Sequence, residues 1–288
     1  MAEHQVSLNQ GTIHYRDTGT GQPIVFVHGL LVDGTLWRKV VPLLESRFRC
    51  LVPDWPLGAH PEAMRAAADL TPPALAELVN DFLVALNLEE VTLVGNDTGG
   101  AICQIVATEH PDRLARLVLT SCDAFENFLP PMFRPLQWAA RVPGLLTAIL
   151  QSLRSRRLRN LPFALGWLAK RPVDNSIVQG WVAPFLSDRA VRRDTAKVLR
   201  GISARYTVAA AGKLPSFERP TLIAWAAEDR FFPLAHGQRL AELIPHGRLE
   251  RIEDSYTFAS EDQPGELADL IANFMAESGP RDGGRKAE

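Results

Sequence analysis

Apolar positions along the chain follow two alternating rhythms. Short runs rich in β-branched and aromatic residues occur at 12–15, 23–27, 49–53, 91–95, 114–119, 221–225 and 248–252. Several of these are continuously apolar, as strands buried on both faces are. Between them the period becomes helical. Leu75, Leu78, Val79, Phe82, Leu83 and Leu86 make one stripe over 73–88, and 264–275 repeats the pattern. Such alternation predicts an α/β fold, a mostly parallel central sheet with helices on both faces. Residues 127–215 break the rhythm, predicting helices over 143–158, 163–170 and 187–206 with no strand between them. The chain is therefore expected to comprise a core of 1–126 and 216–277, an inserted helical cap of 127–215, and a disordered tail at 278–288, rich in glycine and charge.

Composition narrows the class. With 288 residues, 46% hydrophobic and 22% charged, the chain has the balance of one large folded unit or a core carrying an insertion. No run of about 20 uncharged apolar residues appears, so no integral membrane segment is expected. The start, Met1 to His4, lacks the basic and apolar regions of a secretory signal, which points to a cytoplasmic protein. Cys50, Cys103 and Cys122 are odd in number, far apart and set in apolar stretches, so they are expected as buried thiols. Nothing has metal-ligand spacing, and neither a metal nor an organic cofactor is implied.

A net charge of -2 excludes a globally basic nucleic-acid binder, but the average hides an asymmetry. Residues 127–215 hold 15 basic and 3 acidic side chains, against 16 and 30 in the remainder. A basic cap docking on an acidic core would account for this. Alternatively the basic face, with Arg154, Arg156, Arg157 and Arg159, draws an anionic small-molecule substrate or an acidic surface to the cleft. Membrane contact is the weakest of these options. The pattern sets no oligomeric state.

The chemistry concentrates in "LVGNDTGGA", residues 93–101. A strand over 91–94 and a helix over 99–108 put Asp97 on a sharp turn whose small neighbours permit a strained backbone. Taken alone, an aspartate before a helix is an N-cap. Taken with "VFVHGL" (25–30), "VPDWP" (52–56), "AWAAEDRFFP" (224–233) and "EDQP" (261–264), in that order and spacing, the chain resembles the α/β-hydrolase superfamily over nearly its whole length. An aspartate at the turn is similar to the branch of haloalkane dehalogenases, fluoroacetate dehalogenases and epoxide hydrolases.

The resemblance implies that ionised Asp97 attacks an sp3 carbon and forms an ester that water hydrolyses. It also implies that the N–H groups of Leu30 and Thr98 hold the carboxylate, and that Asp229 is the acid orienting a histidine. At the histidine position stands Thr257, with Tyr256 where the family has glycine, and no histidine follows residue 246. Threonine is no base near neutral pH, and an ordinary tyrosine, with a pKa of about 10, stays protonated. His60, in the loop after a strand, is a candidate substitute base. Asp123 is a candidate alternative acid beside its plainer reading as a turn former. The chain also has Thr98 where haloalkane dehalogenases carry tryptophan, Leu30 where they carry a polar residue, and only Tyr206 within the cap, where epoxide hydrolases use two tyrosines. Two functions are therefore expected: a small-molecule hydrolase with an aspartate nucleophile, or a hydrolase-like protein without hydrolytic turnover. The latter would be a binding protein, or a lyase or isomerase using Asp97 as a base.

Overall fold

A computed structural model describes residues 2–278; apart from Ser278, the expected tail lies outside them. The strands are β1 (Ala2–Ser7), β2 (Thr12–Thr18), β3 (Pro23–Val27), β4 (Arg49–Pro53), β5 (Val91–Asp97), β6 (Leu114–Cys122), β7 (Thr221–Ala226) and β8 (Gly247–Ile252). The helices are α1 (Val41–Leu44), α2 (Pro72–Ala85), α3 (Thr98–Glu109), α4 (Arg134–Ala139), α5 (Leu145–Ser152), α6 (Arg156–Arg159), α7 (Asn175–Ser187), α8 (Arg189–Gly201), α9 (Ala204–Lys213), α10 (Leu234–Leu243), α11 (Ala259–Asp262) and α12 (Pro264–Glu277).

One sheet runs in the order β1-β2-β4-β3-β5-β6-β7-β8. Pairing is antiparallel at β1–β2 and β2–β4 and parallel from β4 onward. The pleat divides β3 cleanly. Val25 and Val27 join the core under α2 and α3, whereas Ile24 and Phe26 join the core under α1 and α12. Helices thus cover both faces, and the central strands are buried and largely apolar because neither face meets water. In β5 every residue is buried. The register pairs Val27 of β3 with Gly95 of β5, so the loop after β3 and the turn after β5 emerge side by side. The strand order reverses at β3, the switch point beside which open α/β sheets place their sites.

Most expected elements are present, with boundaries shifted by a few residues. The expected helix at 73–88 is α2, started by Pro72 and Pro73 in its first turn, where a missing N–H costs nothing. Strand β1 was not expected. Between β6 and β7 the described residues contain helices and no strand, but the helices are divided differently. The stretch 143–158 splits into α5 and α6. Residues 163–170 form no regular helix, the backbone breaking at Ala164 (φ -117°, ψ -116°). Asp188 caps α8 by accepting from the Ala190 amide at 2.7 Å, separating it from α7, which the periodicity did not reveal. All three cysteines are buried free thiols.

Basic side chains of this segment do dock it on the core, but only in part. Lys170 pairs with Glu228 (2.7 Å) and Asp254 (2.8 Å), Arg171 with Asp254 (2.5 Å) and Lys213 with Glu109 (2.7 Å). On α8 the fully buried Asp194 accepts from the Met64 amide (2.8 Å) and from Arg193 (2.9 Å). Trp181 of α7 donates its indole N–H to Thr35 Oγ1 at 2.8 Å.

Removing Asp194 would strand the Met64 amide and expose no new surface to satisfy it. Asp194→Ala should therefore cost about 3–5 kcal/mol, measured as a lower urea midpoint at unchanged slope. A loss below about 1 kcal/mol would show that this buried network does not tie α8 to the core.

Candidate active site

Strand β5 ends on Asp97, whose backbone sits at φ 53°, ψ -131°. That left-handed, strained conformation is costly for a residue with a Cβ and persists only where the surroundings enforce it. They do so through two glycines. A Cβ on Gly99 would approach the Val27 carbonyl oxygen to 2.3 Å, and one on Gly29 would come within 2.4 Å of Asp97 Oδ2. Helix α3 and the loop after β3 can therefore close on the carboxylate. Its Oδ1 accepts from the Thr98 amide at 2.7 Å, and the Leu30 amide faces it closely enough to favour its charged form. The loop carrying Leu30 is pinned by His28: Nδ1–H donates to the Gly29 carbonyl (2.9 Å) and Nε2 accepts from the Trp55 amide (2.8 Å). Burial pushes the His28 pKa down to about 4, so His28 is a neutral structural pin.

Asp97 opens into a cavity of about 500 Å³, within the size range of small-molecule sites. Leu30 and Leu31 line it on the sheet side, and Phe133, Leu150, Leu165 and Trp181 from the segment between β6 and β7 line it opposite. Among the described residues, Asp97 is the one ionisable side chain lining it. The other polar groups there are already engaged. Ser152 bonds the Ile149 carbonyl at 2.6 Å, and the Trp181 N–H is held by Thr35 and Asp33. The apolar walls were not legible as a site in the sequence, because their leucines have the spacing of ordinary helix packing.

Behind Asp97 lies the acid position. Asp229 Oδ1 accepts from the Phe231 and Phe232 amides at 2.8 Å each, and from the Thr257 hydroxyl at 3.1 Å. Thr257 is fully buried, and its carbonyl accepts from Asn96 at 2.9 Å. The structure thus brings Asp229 and Thr257 together, next to the β5 turn, with the hydroxyl spent on Asp229. Neither lines the cavity. Tyr256 points elsewhere: its hydroxyl accepts from Arg230 at 3.3 Å and its ring lies beneath Arg230 and Lys170.

His60 is buried away from the cavity, with Nδ1 accepting from Gly58 (3.4 Å) and Nε2 3.6 Å from Asp194. Asp123 is fully buried, with Oδ2 3.3 Å from Thr98 Oγ1. Burial, then the nearby Asp97, raises its pKa well above the ordinary range. The Thr98 hydroxyl lies between the two carboxyls, 3.3 Å from Asp123 Oδ2 and 3.5 Å from Asp97 Oδ1.

The Asp97 pKa is itself raised from 3.8 to about 7, chiefly by burial and further by the Asp229 charge, against the Thr98 and Leu30 amides. Between about pH 4 and pH 7 the folded state keeps a proton that the unfolded chain has lost, so this group's contribution to stability falls as pH rises. Asp97→Asn keeps the shape and cannot ionise. Its stability relative to wild type should therefore grow by about 2 kcal/mol between pH 5 and pH 8, read from urea unfolding at both. A difference independent of pH would contradict the buried environment of the carboxylate.

Comparison with known proteins agrees with this architecture. The chain is 29% identical over 288 residues to the cis-3-alkyl-4-alkyloxetan-2-one decarboxylase of Shewanella oneidensis, covering 96% of this chain and 88% of that protein. It is 30% identical over 274 residues to haloalkane dehalogenase 2 of Mycobacterium tuberculosis, covering 91% of each. The solved structure of the epoxide hydrolase CorEH superposes with a TM-score of 0.77 over 96% of this chain and 99% of that one, at 19% identity, a likeness of fold. A family model of the α/β-hydrolase fold matches residues 22–264. The chain belongs to the α/β-hydrolase-fold family.

Proposed function

We propose that the protein is an aspartate-nucleophile enzyme for a small, alkyl-bearing electrophile, and that its covalent intermediate breaks down by elimination, not by hydrolysis. The observation carrying this reading is that Asp97 is the only ionisable group among the described residues lining a largely apolar cavity. The helices between β6 and β7 act as its cap.

The lining constrains both steps. An ionised carboxylate attacks carbon without a base, so the first step asks nothing of Thr257. The leaving group must then depart unaided, since no cavity side chain is free to protonate an alkoxide or hold a halide. This disfavours the epoxide hydrolase-like and dehalogenase-like reactions, which share the first step. An anionic substrate is disfavoured as well, because no lysine or arginine among the described residues lines the cavity and Asp97 would repel it. A strained ring ester meets the constraint, because its leaving group is its own carboxylate.

The name of the Shewanella relative supplies such a substrate, a dialkyl oxetan-2-one. Asp97 would attack the ring carbon bearing oxygen. The C–O bond breaks, its electron pair stays on oxygen, and an Asp97 ester with a free carboxylate two carbons away results. Attack from the face opposite the ring oxygen sets the new ester bond anti to the carbon–carboxylate bond. That bond then breaks to release carbon dioxide, its electrons form the alkene, and Asp97 leaves as carboxylate. Water enters neither step, so a threonine in place of the family histidine is no defect. The Asp97 pKa near 7 also suits a second reading, in which Asp97 is a general base and forms no adduct.

Incubation with a cis-3,4-dialkyl oxetan-2-one should yield alkene and carbon dioxide. Acid quenching should trap an adduct mapping to the peptide containing Asp97, and Asp97→Asn should lower turnover by at least about 10³-fold. Turnover without any trappable adduct would favour the general-base reading. A β-hydroxy acid product, or release of halide or diol from a haloalkane and epoxide panel, would return the protein to hydrolysis.

A further inference from the structure

We infer that the face built by residues 131–160 docks on an anionic lipid bilayer, with the mouth of the cavity against the membrane. Between Glu126 and Asp174 the chain carries eight basic residues and no acidic one. Core docking uses Lys170 and Arg171, and Arg159 is buried and donates to Asn175 Oδ1, which leaves five others unexplained. Arg134, Arg141, Arg154, Arg156 and Arg157 are exposed and have no carboxylate partner among the described residues. Unpaired arginines gathered without any intervening acid make a surface complementary to anions.

Apolar side chains stand among these cations. Met132 is 43% exposed, Trp138 61% and Leu158 44%, three of the six large exposed hydrophobics of the described residues. Met132 and Leu158 also line the Asp97 cavity, so the cavity reaches the surface within this patch. Trp138 follows Pro135, another lining residue, by one helical turn on α4, with Arg134 and Arg141 at the flanking turns. Arg156 and Arg157 directly precede Leu158 on α6.

Cations beside exposed Trp, Met and Leu are what an interfacial surface requires, the arginines reaching phosphate oxygens while the apolar groups enter below the headgroups. No helix among the described residues is long and apolar enough to cross a membrane, so the contact is peripheral. The cavity argues for lipid over an acidic protein as the occupant. A mouth pressed to the bilayer lets an apolar molecule pass from the acyl phase to the cavity without crossing water. The inference does not depend on the chemistry at Asp97, and its test reads binding alone.

The test is cosedimentation of the full chain with vesicles of phosphatidylcholine, and with vesicles of phosphatidylcholine mixed with phosphatidylglycerol. Binding should require phosphatidylglycerol and weaken with added salt as exposed charges are screened. At about five-fold per arginine, the triple variant Arg154→Gln, Arg156→Gln, Arg157→Gln should lower partitioning on the order of 100-fold. Bound protein should also show a blue-shifted tryptophan signal that Trp138→Phe removes. These residues are exposed, and unchanged thermal unfolding of the variants would tie the loss to the surface. Equal partitioning of wild type and triple variant would overturn the inference. So would binding to polyglutamate with none to vesicles, which would assign the face to an acidic protein.

Discussion

Burying a carboxylate among leucines is expensive, and most of this protein's central architecture serves to make it possible at Asp97. Two backbone amides, from Thr98 and the Leu30 loop, replace part of the lost hydration. Bringing both to one side chain demands a strained residue at the end of β5, glycine at 29 and 99, and β3 paired in register beside β5. The sheet order and the His28 pin follow from the same demand. The compensation is incomplete, which is why burial lifts the group's pKa to about 7.

The neighbourhood of Asp97 is acidic in composition, and each carboxyl there is held by donors. Asp123 accepts from the Thr98 hydroxyl, and Asp229 accepts from two amides and the Thr257 hydroxyl. A histidine at 257 would bring a base to this network. A threonine leaves the acid as scaffold for the loop after β8. On the proposed account the site has kept the part of the machinery that makes a covalent bond and lacks the part that activates water.

The core was legible because its strands are buried on both faces and therefore write continuous apolar runs into the sequence, while α2 and α12 show one-sided stripes. Asp97 was legible for a related reason: the strained turn admits few residues around it, so "GNDTGG" is distinctive. The helices between β6 and β7 were not legible in detail. Their apolar residues face both the protein and the cavity, which blurs the 3.6-residue period, and the break at Ala164 leaves no compositional mark. Nor could the sequence pair His60 with Asp194, residues 134 positions apart, or show that the cavity wall offers no free polar group. The charge asymmetry was visible at once, but its meaning needed coordinates. Some of these cations dock on the core, and five arginines around exposed Trp138 have no carboxylate partner among the described residues.

Isotope tracing shows whether water attacks the Asp97 ester. Turnover of a dialkyl oxetan-2-one in H2 18O, followed by mass analysis of the peptide containing Asp97, separates the two fates of the intermediate. Elimination breaks the bond between substrate carbon and carboxylate oxygen, so after many turnovers Asp97 should remain unlabelled. Hydrolysis through the ester carbonyl deposits solvent oxygen in the carboxylate, and 18O accumulating at Asp97 would contradict the account.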